Sequence, residues 1–117
     1  MAILKPPQIG GKVNVHQDST YLYGEPDTLL GFWIPLQDAT INNGCLWGLP
    51  GSHKGKLYKR SKVLNGVPED ETCHEVDYEE KDFVPIEMEK GSLAIFTGKF
   101  LHKSEQNHSN VSRYAYT

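Results

Sequence analysis

The stretch VNVHQDST places a histidine and an aspartate two residues apart, at His16 and Asp18. Alternate residues of an extended strand project from one face, so an imidazole nitrogen and a carboxylate oxygen could meet at one point. Such a pair can supply two ligands to a metal ion. It is also what the wet face of an ordinary strand carries, because both residue types favour surfaces. A third ligand is therefore required. His74 falls in an acidic run and His108 in Gln-Asn-His-Ser-Asn, so both read as loop residues. His53 follows Pro-Gly-Ser, a turn, and suits a local hydrogen bond. His102 comes after the apolar stretch Ser92–Phe96 and a glycine-containing connection, the position of a strand-end ligand. Two histidines and one carboxylate on one side of a metal, with other positions open, form the facial triad of non-haem Fe(II) oxygenases.

Eleven residues beyond His102, Arg113 opens a last apolar stretch and alternates with Val111 and Ala115. A guanidinium turned into apolar surroundings must meet an anion. A dicarboxylate in a bidentate pair would satisfy it. A protein carboxylate in a structural salt bridge would do so equally well.

These side chains need strands to carry them, and the chain reads as short strands with turns between. Ile3-Leu4 runs into Pro6-Pro7 and Gly10-Gly11, a strand followed by a loop. Val13, Val15 and Gln17 alternate with Asn14, His16 and Asp18. Leu29–Leu36 is apolar and aromatic enough to predict a strand buried on both faces. Ile41–Trp47 contains Asn43-Gly44, a hairpin signal, and Pro50-Gly51 marks another turn. Phe83–Ile86, Ser92–Phe96 and Arg113–Tyr116 complete the set, and no stretch has helical periodicity. The pattern predicts an all-β sandwich or barrel. Residues 54–82 differ: Lys54, Lys56, Lys59, Arg60 and Lys62 precede a run of acidic residues. They read as a solvated surface excursion, of a length that also suits a lid.

At 117 residues the expectation is one domain, residues 1–117, with a modest core. A net charge of −3 gives no electrostatic case for nucleic acid or anionic lipid. No run approaches the ~20 apolar residues of a membrane helix, and the first residues lack the pattern of a signal peptide. With Cys45 and Cys73 the only cysteines, the expected setting is reducing, intracellular and cytoplasmic.

The segments VNVHQDSTYLYGEP, LGFWIPLQDATINNGCLWGLPGSHKG, GSLAIFTGKFLHKSEQN and SRYAYT resemble the phytanoyl-CoA dioxygenase family of Fe(II)/2-oxoglutarate oxygenases, in particular its domain-containing protein branch. They run from one end of the chain to the other, with only the charged middle section unremarkable. The resemblance implies a double-stranded β-helix, a jelly-roll relative of the cupins. It places His16, Asp18 and His102 as iron ligands and Arg113 on the distal carboxylate of 2-oxoglutarate. Ser104 would support that carboxylate, Trp33 and Gln17 would line the cosubstrate pocket, and Met1 would fall beside it. Trp33 is equally readable as a plain core aromatic. The implied reaction consumes O2 and 2-oxoglutarate, hydroxylates a C–H bond and releases succinate and CO2. The substrate is an unidentified small molecule, acyl-CoA-like if the family name is followed, with the lysines at 54–62 the one candidate for a CoA-binding cluster. Tyr21, Tyr23 and the excursion are expected to border the substrate mouth. Relative to the family pattern, an N-terminal helical region and the end beyond the arginine strand are expected to be missing. Two alternatives stand beside this reading: a cupin-like metal lyase or isomerase, and a non-catalytic protein that binds iron and 2-oxoglutarate. Oligomeric state is not legible.

Overall fold

Pro6-Pro7, Pro50-Gly51 and the glycines between them break the chain into short extended pieces, which pair in the computed structural model of residues 1–22 and 24–117. In chain order the strands are β1 (Ala2–Lys5), β2 (Val13–His16), β3 (Leu30–Pro35), β4 (Leu46–Gly48) and β5 (Lys59–Leu64). They continue as β6 (Val67–Thr72), β7 (Val84–Ile86), β8 (Ala94–Thr97), β9 (His102–Ser104) and β10 (Arg113–Tyr116). Helical structure among the described residues is confined to single 3₁₀ turns at Asp18–Thr20, Ser52–Lys54 and Glu80–Asp82. One antiparallel sheet has the order β1-β10-β3-β8 and a second has the order β2-β9-β4-β7. The chain crosses repeatedly between them, which is the jelly-roll arrangement expected.

The core lies between the two layers. Trp33 and Ala115 enter it from the first sheet and Leu46 from the second, with Ala39 and Cys45 beside them. Trp47, Ile86, Met88, Ala94 and Phe96 pack around this centre. The two outer faces are finished differently. On the second sheet Lys103 lies over the rings of Trp47 and Phe83, and its ammonium pairs with Glu80 at 3.3 Å and Glu105 at 3.0 Å. The first sheet leaves Leu4, Leu30, Phe32, Ile95, Tyr114 and Tyr116 exposed. The expectation that Leu29–Leu36 is buried on both faces is thus corrected. Trp33 and Pro35 point inward, whereas Leu30 and Phe32 are 52% and 48% exposed.

One turn also departs from expectation. Asn43-Gly44 does not close a hairpin. The Asn43 side chain accepts from the Thr40 amide at 2.8 Å and donates to the Asp38 carbonyl at 2.8 Å, and the following strand pairs with β7 and β9. The turn hands the chain from one sheet to the other. Asn65-Gly66, in contrast, closes a regular hairpin between β5 and β6, with φ of 53° and 81° at its two central residues. Positive φ at both positions is what a two-residue hairpin loop demands and what Asn-Gly tolerates. The excursion at 54–82 therefore contains a paired hairpin, not an irregular loop.

Beside the core, Lys5 is 2% exposed and donates to the carbonyls of Gly11 and Glu105. Burial, helped by the charge of Arg113 and opposed by that of Glu105, pushes its ammonium down to about 8. The folded chain gives up this proton earlier than the unfolded chain does. Stability should accordingly rise with pH above about 8. The rise levels off above 9, where the Cys45 thiol, pushed up to about 11 by burial, resists an ionisation the unfolded chain allows. Thermal midpoints measured across this range should show the rise in the parent chain and lose it in Lys5→Met.

Candidate metal centre and anion pocket

Strand β2 ends at His16, and its pairing with β9 is irregular between Val13 and His16. Gln17 keeps extended backbone angles, φ −120° and ψ 132°, and Asp18 then opens a 3₁₀ turn. The same-face relation of His16 and Asp18 survives, although Asp18 is not a strand residue as the alternation suggested. His102 begins β9 and sits directly opposite His16 in register. On its other side it faces Gly48 of β4, where a Cβ would collide with the Phe100 ring. The bare backbone lets that ring lie parallel to the His102 imidazole, 6.1 Å away.

The three donors converge. The Nε2 atoms of His16 and His102 lie 3.5 and 3.6 Å from Asp18 Oδ1, and all three ligand atoms fall within 4.8 Å of one another. Each Nδ1 faces a backbone carbonyl, Asn14 at 2.8 Å for His16 and Phe100 at 2.9 Å for His102. A carbonyl can only accept, so each Nδ1 carries the proton and each Nε2 presents its lone pair to the shared point. This is the outer-sphere arrangement that orients histidine ligands. Among the described residues no other group of three such donors comes together. His74 Nδ1 bonds to the Leu57 carbonyl at 2.9 Å, away from the cluster.

The electrostatics separate the two histidines. The hydrogen bond to Asp18 raises His16 despite its partial burial, with the Asn14 carbonyl adding to the effect. His102 is lowered, first by burial and then by the charge of His16. Burial alone would raise Asp18, but the His16 hydrogen bond and the charges of both histidines hold it below the usual carboxylate range. The carboxylate is thus ionised and His102 neutral at ordinary pH, the forms a metal requires.

Arg113 is 1% exposed, and its guanidinium lies 5.3 Å from the Trp33 ring. Its Nε and Nη1 are buried without a hydrogen-bond partner. Among the described residues no carboxylate makes the structural salt bridge considered above, and burial lowers the guanidinium from its ordinary value. The inward face of β10 consists of Arg113 and Ala115; Val111, expected to share it, lies before the strand and is exposed. Arg113, Trp33, Ser104 and Met1 line one cavity of about 340 Å³ together with His16, Asp18 and His102. Gln17 is not among its lining residues. It borders a smaller cavity of about 170 Å³ that His16 also lines, shared with Tyr21, Tyr58 and Tyr78. Tyr23 lies outside the described residues. Phe96 and Phe100, which pack against the His102 ring, were not singled out from sequence; only Phe100's place two residues before His102 hinted at it.

The family model described as "Phytanoyl-CoA dioxygenase (PhyH)" matches residues 1–115. A phytanoyl-CoA dioxygenase of Arabidopsis thaliana is 47% identical over the whole chain, which spans 41% of that protein's length. Phytanoyl-CoA dioxygenase domain-containing protein 1 of Mus musculus is 42% identical, again over the whole chain and 42% of the relative. Among solved structures, EvdO2 from Micromonospora carbonacea var. aurantiaca complexed with 2-oxoglutarate superposes with a TM-score of 0.73 at 28% identity. That match covers 97% of this chain and 46% of the other.

Proposed function

The chain belongs to the phytanoyl-CoA dioxygenase family, and from that premise we propose that it acts as an Fe(II)- and 2-oxoglutarate-dependent oxygenase on a small organic substrate. One observation carries the reading. A buried arginine with two unpartnered N–H groups opens into the same cavity as a His-Asp-His donor set. The donor set suits Fe(II), and the orphaned guanidinium suits the far carboxylate of a five-carbon dicarboxylate. When bound, Fe(II) with 2-oxoglutarate and O2 supplies the oxidising chemistry, hydroxylating a C–H bond and releasing succinate and CO2.

The chain's own residues prepare the site. His16 and His102 offer Nε2 lone pairs because their Nδ1 protons are tied to Asn14 and Phe100 carbonyls. Asp18 contributes the negative charge. Arg113 fixes the cosubstrate's far end, and the Trp33 face beside it keeps water off the guanidinium. Phe96 and Phe100 shield the His102 side. The cavity bordered by Tyr21, Tyr58, Tyr78 and His16 is the proposed approach for substrate. With the chain spanning about 41% of its curated relatives, the activity of the whole protein is part of this proposal.

The test is conversion of 2-oxoglutarate to succinate by the purified chain with Fe(II), first without substrate and then with a panel. Iron-dependent succinate, even slow and without substrate, is the expected result. Metal binding with no succinate would favour the lyase, isomerase or non-catalytic alternatives. No metal binding would overturn the assignment.

A further inference from the structure

Gln17 sits between two of the proposed ligands, yet its side chain is turned away from them and is 2% exposed. Its Nε2 donates to the Lys56 carbonyl at 2.8 Å and to the Lys99 carbonyl at 2.7 Å, while its Oε1 accepts from the Tyr58 amide at 2.9 Å. All three partners are backbone groups, so the amide grips segments of chain and not mobile side chains. Lys56 and Tyr58 belong to the root of the excursion, and Lys99 to the connection that delivers His102. We infer that Gln17 is a positioning residue that clamps the ligand-bearing turn to the excursion root and to the His102 connection, coupling order in the excursion to the geometry of the metal site. The inference rests on the metal assignment proposed above.

The surroundings support the coupling from both ends. The Ser19 amide donates to the Gly98 carbonyl at 2.9 Å, a second staple between the same turn and the same connection. A Cβ at Gly98 would collide with Ser19 Oγ and Leu29, so this close approach depends on glycine. At the excursion root the Cys73 and His74 amides both donate to the Tyr58 carbonyl, at 2.8 and 3.3 Å. Lys56 and the Tyr58 hydroxyl both meet Asp77. The excursion thus returns to its own root there, and the buried Gln17 amide grips that root at Lys56 and Tyr58. Beyond it, Tyr58 and Tyr78 line the cavity beside His16, so a molecule seated there would press on the clamped segment. Coupling between two sites is reciprocal, so metal occupancy should also order the excursion.

The experiment uses Co(II) alone as the probe, in the full chain, with two variants and their combination. Gln17→Met keeps the length of the side chain and removes all three hydrogen bonds. In the second variant residues 56–76 are replaced by a short Gly-Ser linker, which removes both Lys56 and Tyr58 as partners and leaves Gln17 in place. Each single variant is expected to lose roughly tenfold or more in Co(II) affinity, the size typical of outer-sphere changes. Both should also show the same shift in the visible ligand-field spectrum of the bound ion. The double variant should bind no more weakly than the worse single one, because both changes cut one linkage. In the parent chain Co(II) should slow amide exchange across residues 56–78, and in Gln17→Met it should not. Parent-like affinity and spectrum in Gln17→Met, or additive losses in the double variant, would overturn the clamp while leaving the metal site standing. A parent chain that binds no Co(II) would overturn both. The excision variant reads the same linkage if Gln17→Met does not fold; unchanged affinity there overturns the clamp by itself.

Discussion

Replacing Asp18 with alanine is expected to abolish useful metal binding, with a loss of more than about a hundredfold in affinity. Asp18 is the only anionic donor in the cluster, and both histidine Nε2 atoms face its Oδ1. Without it, two imidazoles 4.2 Å apart would have to hold a dication alone. His102→Ala should be comparably damaging, since it also removes the ring that Phe96 and Phe100 enclose. Calorimetric titration with Fe(II) under anaerobic conditions, or with Co(II), reads both effects. The pH dependence supplies an internal control. A proton and a metal compete for His16 Nε2, and the Asp18 hydrogen bond raises His16 above its ordinary value. Affinity in the parent chain should begin to fall, on acidification, at a higher pH than for an ordinary histidine. His102, lowered by burial, joins only at lower pH. In Asp18→Asn the His16 step should move down towards the ordinary histidine value. Equal metal affinity in the parent and both alanine variants would refute the ligand set.

The second large effect is expected at Arg113, with opposite signs for binding and for stability. Arg113→Met should weaken 2-oxoglutarate binding by on the order of a hundredfold, since charge-assisted hydrogen bonds contribute ~1.5–3 kcal/mol each. Metal affinity should hardly change, because the guanidinium is not among the converging donors. Removing a buried charge with two unpartnered N–H groups should also raise the thermal midpoint of the ligand-free chain. Loss of cosubstrate binding together with a gain in stability would separate an anion site from an ordinary structural arginine, whose removal lowers the midpoint. A lower midpoint with unchanged 2-oxoglutarate affinity would refute the role. Added 2-oxoglutarate should close the stability gap by stabilising only the parent.

Much of the fold is readable in the sequence, and the departures from it have physical reasons. The strand positions follow from period-2 patterning, and His16, Asp18, His102 and Arg113 stand out only as a set, by residue type, spacing and place on the strands. Burial was harder. Leu30 and Phe32 belong to an apolar run that reads as two-faced core, but strand sequence alone does not say whether anything lies against the second face. Val111 was misplaced because the alternation was extended past the start of β10. The two Asn-Gly pairs show the limit of local signals. Both favour a tight turn, yet only the sheet into which the next strand is delivered decides which one closes a hairpin. Gln17 was assigned by position to the cosubstrate pocket, and its three backbone partners, 39 to 82 residues away in the chain, have no local signature.

The metal donors and the anion anchor are carried on different layers. His16 and His102 belong to the sheet β2-β9-β4-β7, and Arg113 with Trp33 to the sheet β1-β10-β3-β8. On the assignment proposed here, the reach from metal to guanidinium is set by how thickly Trp33, Leu46 and Ala115 fill the space between the layers. Those residues offer no metal donor and no charge, yet they gauge the length of the 2-oxo acid that can bridge the gap. The core of this fold is also a ruler, and repacking it would retune cosubstrate choice without altering a single ligand.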